Sequence, residues 1–144
     1  MAEDLSPAAD APPVIEIRGL ATRFGAQVVH EDLELTVRRG EIVGLVGGSG
    51  SGKTTLLREV ALLDAPSAGS IRLFGDETVG LTEGESFALR RRFGMMFQHG
   101  ALFSSLTVRE NVAVPLHEHT TLPEAEIDRL AELKVALAGL PPGS

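Results

Sequence analysis

One glycine-rich segment of the chain carries residue types that are suited to binding phosphate. Gly47, Gly52, Lys53 and Thr54 fit the pattern Gly-x-x-x-x-Gly-Lys-Thr. Glycine lets the backbone adopt positive φ angles and approach a ligand closely, so that successive N–H groups form an anion-binding nest. The Lys53 ammonium neutralises phosphate charge, and the Thr54 hydroxyl is suited to hold Mg²⁺. The pattern predicts a nucleotide-phosphate site, but it does not distinguish ATP from GTP.

The segments on either side of this loop have the patterns that the motif requires. Residues 41–46 form a short, almost wholly apolar run, which is typical of a strand buried on both faces of a parallel sheet. Apolar residues then recur at helical spacing over 54–63. A buried strand, a glycine-rich loop and a helix, in this order, form the context in which the loop binds phosphate.

The remaining pattern predicts a chain of the α/β class. Alternating or apolar runs indicate strands, apolar residues at helical spacing indicate helices, and Thr107 with Glu110 forms a capping box that starts a helix. We expect that Pro115 bends or ends that helix. The predicted strands are 14–20, 33–37, 70–74 and 93–98, and the other predicted helices are 85–92 and 123–138.

Composition limits the class of protein. The chain has 144 residues and a net charge of −7, which argues against broad nucleic-acid binding. Cysteine is absent, so disulfides, thiolate metal sites and cysteine nucleophiles are excluded. The acidic N-terminus lacks the apolar core of a signal peptide, and we expect a cytoplasmic protein. Residues 1–13, rich in Ala, Pro, Asp and Glu, are predicted to be a flexible tail.

Several segments besides the loop resemble one known family. They are Phe24, residues 33–40 (Leu-Glu-Leu-Thr-Val-Arg-Arg-Gly), 55–58, 66–71, the pair Phe97-Gln98, and 106–112 (Leu-Thr-Val-Arg-Glu-Asn-Val). From about 14 to 140, the chain resembles the ATP-binding subunit of ABC transporters. The resemblance implies a P-loop NTPase core of the ABC ATPase type, with an antiparallel β subdomain. One departure is Gly48, where family members usually have proline; we expect it to change loop stiffness more than contacts.

The resemblance also implies a role for each site residue, with ATP and Mg²⁺ as cofactors. Phe24 would stack on the adenine base, although core packing is an alternative for this apolar side chain. Lys53 and Gln98 would be the catalytic residues, and Thr54 and Gln98 would hold Mg²⁺. The residues that would bind the nucleotide are Phe24, Gly47, Gly48, Ser49, Gly50, Ser51, Gly52, Lys53, Thr54 and Thr55.

Within the family, residues 97–103, 111–116 and 119–120 resemble the ATPase of Mla-type systems, which move phospholipids across the cell envelope. The implied partners are a transmembrane permease, a second copy of the chain and a lipid-binding substrate protein. The implied location is the cytoplasmic face of the inner membrane. Three apolar residues are candidates for the permease surface, with core packing as the alternative: Leu102, Phe103 and Leu106. An ABC importer for a small solute, such as an amino acid, remains a competing interpretation.

The chain ends before the positions where this family places its signature motif, the Walker B strand and the switch histidine. Walker B carboxylates anchor Mg²⁺ and help to orient the attacking water. We therefore expect residues 14–144 to be the N-terminal part of an ABC ATP-binding domain, truncated before these elements. A further hypothesis follows, namely that the chain binds nucleotide without hydrolysing it.

Overall fold

The computed structural model describes residues 11–97 and 100–141. Within them the chain forms two compact units, one ending at Met95 and the other beginning at Met96. Helices of the described part are all too short or too polar to span a bilayer. Residues 1–10 of the predicted flexible tail lie outside the described residues, and the first strand begins at Pro13, the last position assigned to that tail.

The first unit is built on a four-stranded antiparallel sheet. Its strands are β1 (Pro13–Phe24), β2 (Gln27–Arg38), β3 (Ala68–Leu73) and β4 (Asp76–Glu77), in the order β2-β1-β3-β4. A tight hairpin joins the two long strands, because Phe24 pairs with Gln27 and Gly25 takes a φ of 60° that glycine adopts without steric cost. The antiparallel β subdomain is confirmed, and its first two strands are longer than the 14–20 and 33–37 predicted.

Two helices of the first unit, α1 (Lys53–Val60) and α2 (Glu83–Arg90), contribute to the core with the sheet. Alternate residues of β3 and two residues of β1 on either side of a register shift supply apolar side chains, and each helix adds one buried leucine. The buried cluster consists of Ile17, Leu20, Leu56, Ile71, Leu73 and Leu89. The predicted helices 54–63 and 85–92 thus exist, with ends shifted by one to three residues, as is common at helix termini.

Two predicted strands are wrong. Residues 41–46 and the described part of 93–98 form no strand, and Ile42 and Val46 are each 94% exposed. A strand that is apolar on both faces forms only between neighbouring strands that accept its hydrogen bonds and cover its side chains. Among the described residues no strand lies beside either run. Both runs are apolar, as the sequence shows, but neither pairs with another strand among the described residues.

The second unit is a helical hairpin of α3 (Val108–His119) and α4 (Glu124–Leu137). Ala113, Ile127 and Ala131 form its buried centre. Arg109 pairs with Asp128 at 3.3 Å, whereas His117 lies 3.7 Å from Glu124, so the two helices run antiparallel.

The two ends of α3 test the sequence predictions for this helix. The predicted capping box is present, because Thr107 accepts from the Glu110 backbone and Glu110 accepts from Thr107. The helix does not end at Pro115 but continues four residues beyond it, to His119.

Candidate functional site

A pocket of about 250 Å³ lies between the β1–β2 hairpin and the glycine-rich loop. The hairpin contributes Phe24, Gln27 and Val29, and the loop and the first turn of α1 contribute residues 50–55. Gln27 and Val29 were not predicted from the sequence. Their position directly after Phe24 and Gly25 was the available signal, because a tight hairpin returns the chain past its own last residue.

Two of the four glycines in the loop have the positive φ angles that the glycine pattern predicts. Gly50 and Gly52 have φ angles of 79° and 86°, values that are costly for residues with a β-carbon. Gly52 is the N-cap of α1, and no side chain caps that helix. Helices α2 and α3, in contrast, begin with a threonine and a glutamate that cap their N–H groups. The first turn of α1 also lacks acidic residues, so its positive end is not neutralised locally.

The side chain of Lys53 lies over this loop. Its ammonium donates to the carbonyl oxygens of Gly47 at 2.8 Å and Gly48 at 2.7 Å, and to the Ser51 hydroxyl at 3.1 Å. A positive charge therefore lies beside the uncapped N-terminus of α1. Glycine N–H groups, a helix N-terminus and one ammonium form a cradle that fits an anion such as a phosphate chain.

Individual positions in the loop differ in how tightly they are packed. A β-carbon on Gly47 would lie 2.7 Å from the Ser51 hydroxyl oxygen, whereas one on Gly48 would meet no atom within 4 Å. The threonine hydroxyls at 54 and 55 are in the first turn of α1, and both residues line the pocket. Of the loop residues predicted from the sequence, those from Gly50 to Thr55 line the pocket together, and the carbonyl of Gly47 accepts a hydrogen bond from one of them, Lys53.

Phe24 lies at the rim of the same pocket and is 57% exposed. Core packing, the alternative considered for this residue, is therefore excluded in this structure. Its aromatic face is accessible to a planar group.

The other predicted residues fall either outside the described part of the chain or in the second unit. Gln98, expected to act in catalysis and metal binding, lies outside the described residues, as does its neighbour His99. Leu102, Phe103 and Leu106 are exposed in the second unit. Among the described residues there is no cluster of three or more His, Asp or Glu side chains that would hold a metal ion by themselves.

Comparison with known proteins identifies the family of the chain. The sequence model of a family described as "ABC transporter" matches residues 30–141. The chain is 39% identical over 127 residues to the "intermembrane phospholipid transport system ATP-binding protein MlaF" of Haemophilus influenzae, covering 88% of this chain and 48% of that protein. It is 42% identical over 135 residues to the "methionine import ATP-binding protein MetN" of Brucella abortus, covering 93% of this chain and 36% of that protein.

A solved structure shares the fold. The dimeric ATP-binding cassette MJ0796, described in a post-hydrolysis state bound to ADP and Pi, superposes with a TM-score of 0.80 at 27% identity. The alignment covers 89% of this chain and 58% of the solved chain. The chain thus spans about half or less of the length of the two curated relatives.

Proposed function

Because the chain belongs to the ABC transporter family, we propose that it serves as an ATP-binding subunit that holds ATP with Mg²⁺ at the loop from Gly47 to Thr54. One observation supports this most strongly. The Lys53 ammonium lies on the loop carbonyls beside the uncapped N-terminus of α1, where positive charge and free N–H groups meet.

The proposed roles follow from this geometry. Lys53 neutralises the charge of the outer phosphates, and residues 47–52 bind phosphate oxygens through backbone N–H groups. Phe24 stacks on the base at the other end of the pocket, with Gln27 and Val29 beside it. Thr54 and Gln98 are the proposed ligands for Mg²⁺, which when bound neutralises charge on the phosphates. Gln98 also orients the attacking water, as the family resemblance implies.

The test uses the only two lysines of the chain as a matched pair. Lys53→Ala removes the ammonium at the loop, whereas Lys134→Ala removes one from the last turn of α4. Isothermal titration with Mg–ATP should give an affinity at least about tenfold weaker for Lys53→Ala, since hydrogen bonds to charged groups contribute about 1.5–3 kcal/mol. Lys134→Ala should bind like the parent chain. Equal affinity in all three chains would refute the proposed site.

We further propose that the subunit energises phospholipid transport. The support is the similarity to MlaF together with the segments 97–103 and 111–116. The proposed partners are a transmembrane permease, a second copy of the chain and a lipid-binding substrate protein, with the subunit on the cytoplasmic face of the inner membrane. Leu102, Phe103 and Leu106, all exposed, are the proposed permease contacts.

A second candidate is import of a small solute, which the 42% identity to MetN favours. Deletion of the gene distinguishes the two. Phospholipid accumulation in the outer leaflet of the outer membrane, reversed by the native gene but not by Lys53→Ala, would support lipid transport. Normal lipid distribution with reduced methionine uptake would support the second candidate instead.

A further inference from the structure

Three polar side chains are buried together beneath the glycine-rich loop. Thr22 on β1, His30 on β2 and Glu59 on α1 are 3%, 8% and 1% exposed. Buried polar groups are costly unless they are hydrogen-bonded. This cluster connects both strands of the long hairpin to the helix that begins at the loop.

The direction of each hydrogen bond in the cluster can be worked out. The Thr22 hydroxyl donates to one Glu59 carboxylate oxygen at 2.7 Å. Because a hydroxyl carries one proton, the contact of 3.3 Å between His30 Nδ1 and Thr22 Oγ1 requires Nδ1 to be the donor. The second Glu59 oxygen lies 3.8 Å from the same Nδ1 and has no hydrogen-bond partner among the described residues.

The opposite edge of the His30 ring contacts the loop. A β-carbon built on Gly52 would lie 2.5 Å from His30 Nε2 and 2.7 Å from a methyl group of Val29. Gly52 is the left-handed residue that ends the loop and begins α1. The imidazole is thus held between Glu59 on one side and Gly52 on the other.

We propose that His30 is a positioning residue for the phosphate loop, oriented by Glu59 and Thr22. This inference depends on the proposed function, because it assumes that the loop binds phosphate. The bond from Nδ1 fixes the plane of the ring. The Nε2 edge then fixes the turn at Gly52, and this turn sets the direction in which Lys53 leaves the loop toward Gly47 and Gly48.

The proposal distinguishes the two nitrogens of His30, and two substitutions separate them. His30→Asn keeps an amide nitrogen near the position of Nδ1 but leaves the space beside Gly52 empty. His30→Gln reaches as far as Nε2 and keeps a polar atom there. With the full chain and Mg–ATP as the ligand, we expect His30→Asn to bind about tenfold more weakly, because the turn at Gly52 loses the group packed against it. His30→Gln should retain affinity within about threefold of the parent chain.

Glu59→Gln is a further variant that keeps the shape of the buried side chain. It should weaken binding in the same direction as His30→Asn, because an amide replaces the carboxyl group that faces both Thr22 and the His30 ring. Thermal melting shows the temperature range in which each variant is folded. The titrations are carried out within that range, so that a loss of stability is not counted as a loss of affinity.

The outcomes separate this inference from the proposed function. Parent-like affinity in both His30→Asn and Glu59→Gln would overturn it, and so would an equal loss in both His30 variants, which would indicate a bulk packing role. If the parent chain does not bind Mg–ATP, or Lys53→Ala binds equally well, the proposed function fails and the inference fails with it.

Discussion

The Lys53 ammonium donates a hydrogen bond of 2.7 Å to the carbonyl oxygen of Gly48. Its two other contacts are the Gly47 carbonyl and the Ser51 hydroxyl. Because an ammonium has three donors, every donor of Lys53 already has a partner within its own loop. A phosphate oxygen must therefore replace one of these acceptors, and the packing around Gly47 and Ser51 affects how readily that exchange occurs.

Gly47→Ala should weaken nucleotide binding, whereas Gly48→Ala should not. The β-carbon at 47 would lie 2.7 Å from the Ser51 hydroxyl oxygen and 3.3 Å from the Ser51 β-carbon, so Ser51 must shift, and the loop backbone that is proposed to bind phosphate shifts with it. We expect an affinity for Mg–ATP about tenfold lower, which corresponds to about 1.4 kcal/mol. At position 48 a β-carbon meets no atom within 4 Å, and the φ angle is not positive.

Titration calorimetry on the three chains measures this difference directly. Gly48→Ala is a matched control, because it adds the same methyl group to the neighbouring residue. An equal loss of affinity in both variants would show that loop flexibility, and not the contact with Ser51, determines binding.

The loop and the capping box of α3 could be predicted from the sequence because they are local. The residues from Gly47 to Thr54 interact with one another, so the spacing of these residue types in the sequence predicts most of the loop geometry. The capping box at Thr107 and Glu110 is likewise complete within four residues, and its position predicted the start of α3 to the residue.

Features that depend on contacts between residues far apart in the sequence were either not predicted or predicted wrongly. The run 41–46 has the composition of a buried strand, but pairing partners decide whether such a run becomes a strand. The Thr22–Glu59 bond joins residues 37 positions apart, and no local pattern connects them. Gln27 and Val29 could have been found only by extending β1 to Phe24 and placing the hairpin turn at Gly25.

Gly69→Ala should destabilise the first unit strongly. Gly69 has a φ of +93°, and a β-carbon there would overlap the carbonyl oxygen of Gly19 on the neighbouring strand. The left-handed conformation and the backbone overlap together should lower the free energy of unfolding by about 3 kcal/mol. Gly84→Ala in α2, where space is open, should instead raise it by up to about 1 kcal/mol. Urea unfolding monitored by circular dichroism measures the free energy of unfolding of both variants. Similar values for the two variants would contradict the close approach of Gly69 to Gly19.

The capping box of α3 should make the second unit sensitive to acid. The backbone N–H of Thr107, and then its hydroxyl, hold the pKa of Glu110 below its ordinary value. A carboxyl whose pKa is lower in the folded chain stabilises the fold above its unfolded-state pKa, about 4.3 for glutamate. That stabilisation is lost as the pH falls through the folded-state pKa. Helix content should therefore decrease in acid, and Glu110→Gln should flatten this dependence.

Melting curves from pH 7 to pH 3 test the acid sensitivity. The difference in melting temperature between the parent chain and Glu110→Gln should be largest at neutral pH and disappear toward pH 3. Glu118→Gln removes one negative charge from the same helix and controls for net charge. A difference that grows as the pH falls would have the opposite sign and would contradict the role of Glu110.

The side chain of Asn111 forms hydrogen bonds with the exposed segment that precedes α3. Its side-chain oxygen accepts from the backbone N–H of Phe103 at 2.8 Å. Its amide nitrogen lies 3.1 Å from the carbonyl of Phe103, 3.2 Å from that of Leu106 and 2.9 Å from that of Thr107. The segment that carries the proposed permease contacts is therefore organised by one side chain of the helix behind it.

Asn111→Asp should loosen this segment while preserving the size of the side chain. The carboxylate keeps the acceptor for Phe103 N–H but has no donor for the three carbonyls, and each neutral hydrogen bond contributes about 0.5–1.5 kcal/mol. Limited proteolysis with chymotrypsin should therefore cut after Phe103 about tenfold faster, because cleavage follows the population of the open segment. Asp128→Asn makes the reverse exchange at an exposed ion pair with Arg109, which contributes little to stability, and should leave the rate unchanged. If both variants are cut at the parent rate, the Asn111 bonds do not hold the segment closed, and its order must come from the packing of α3 against α4.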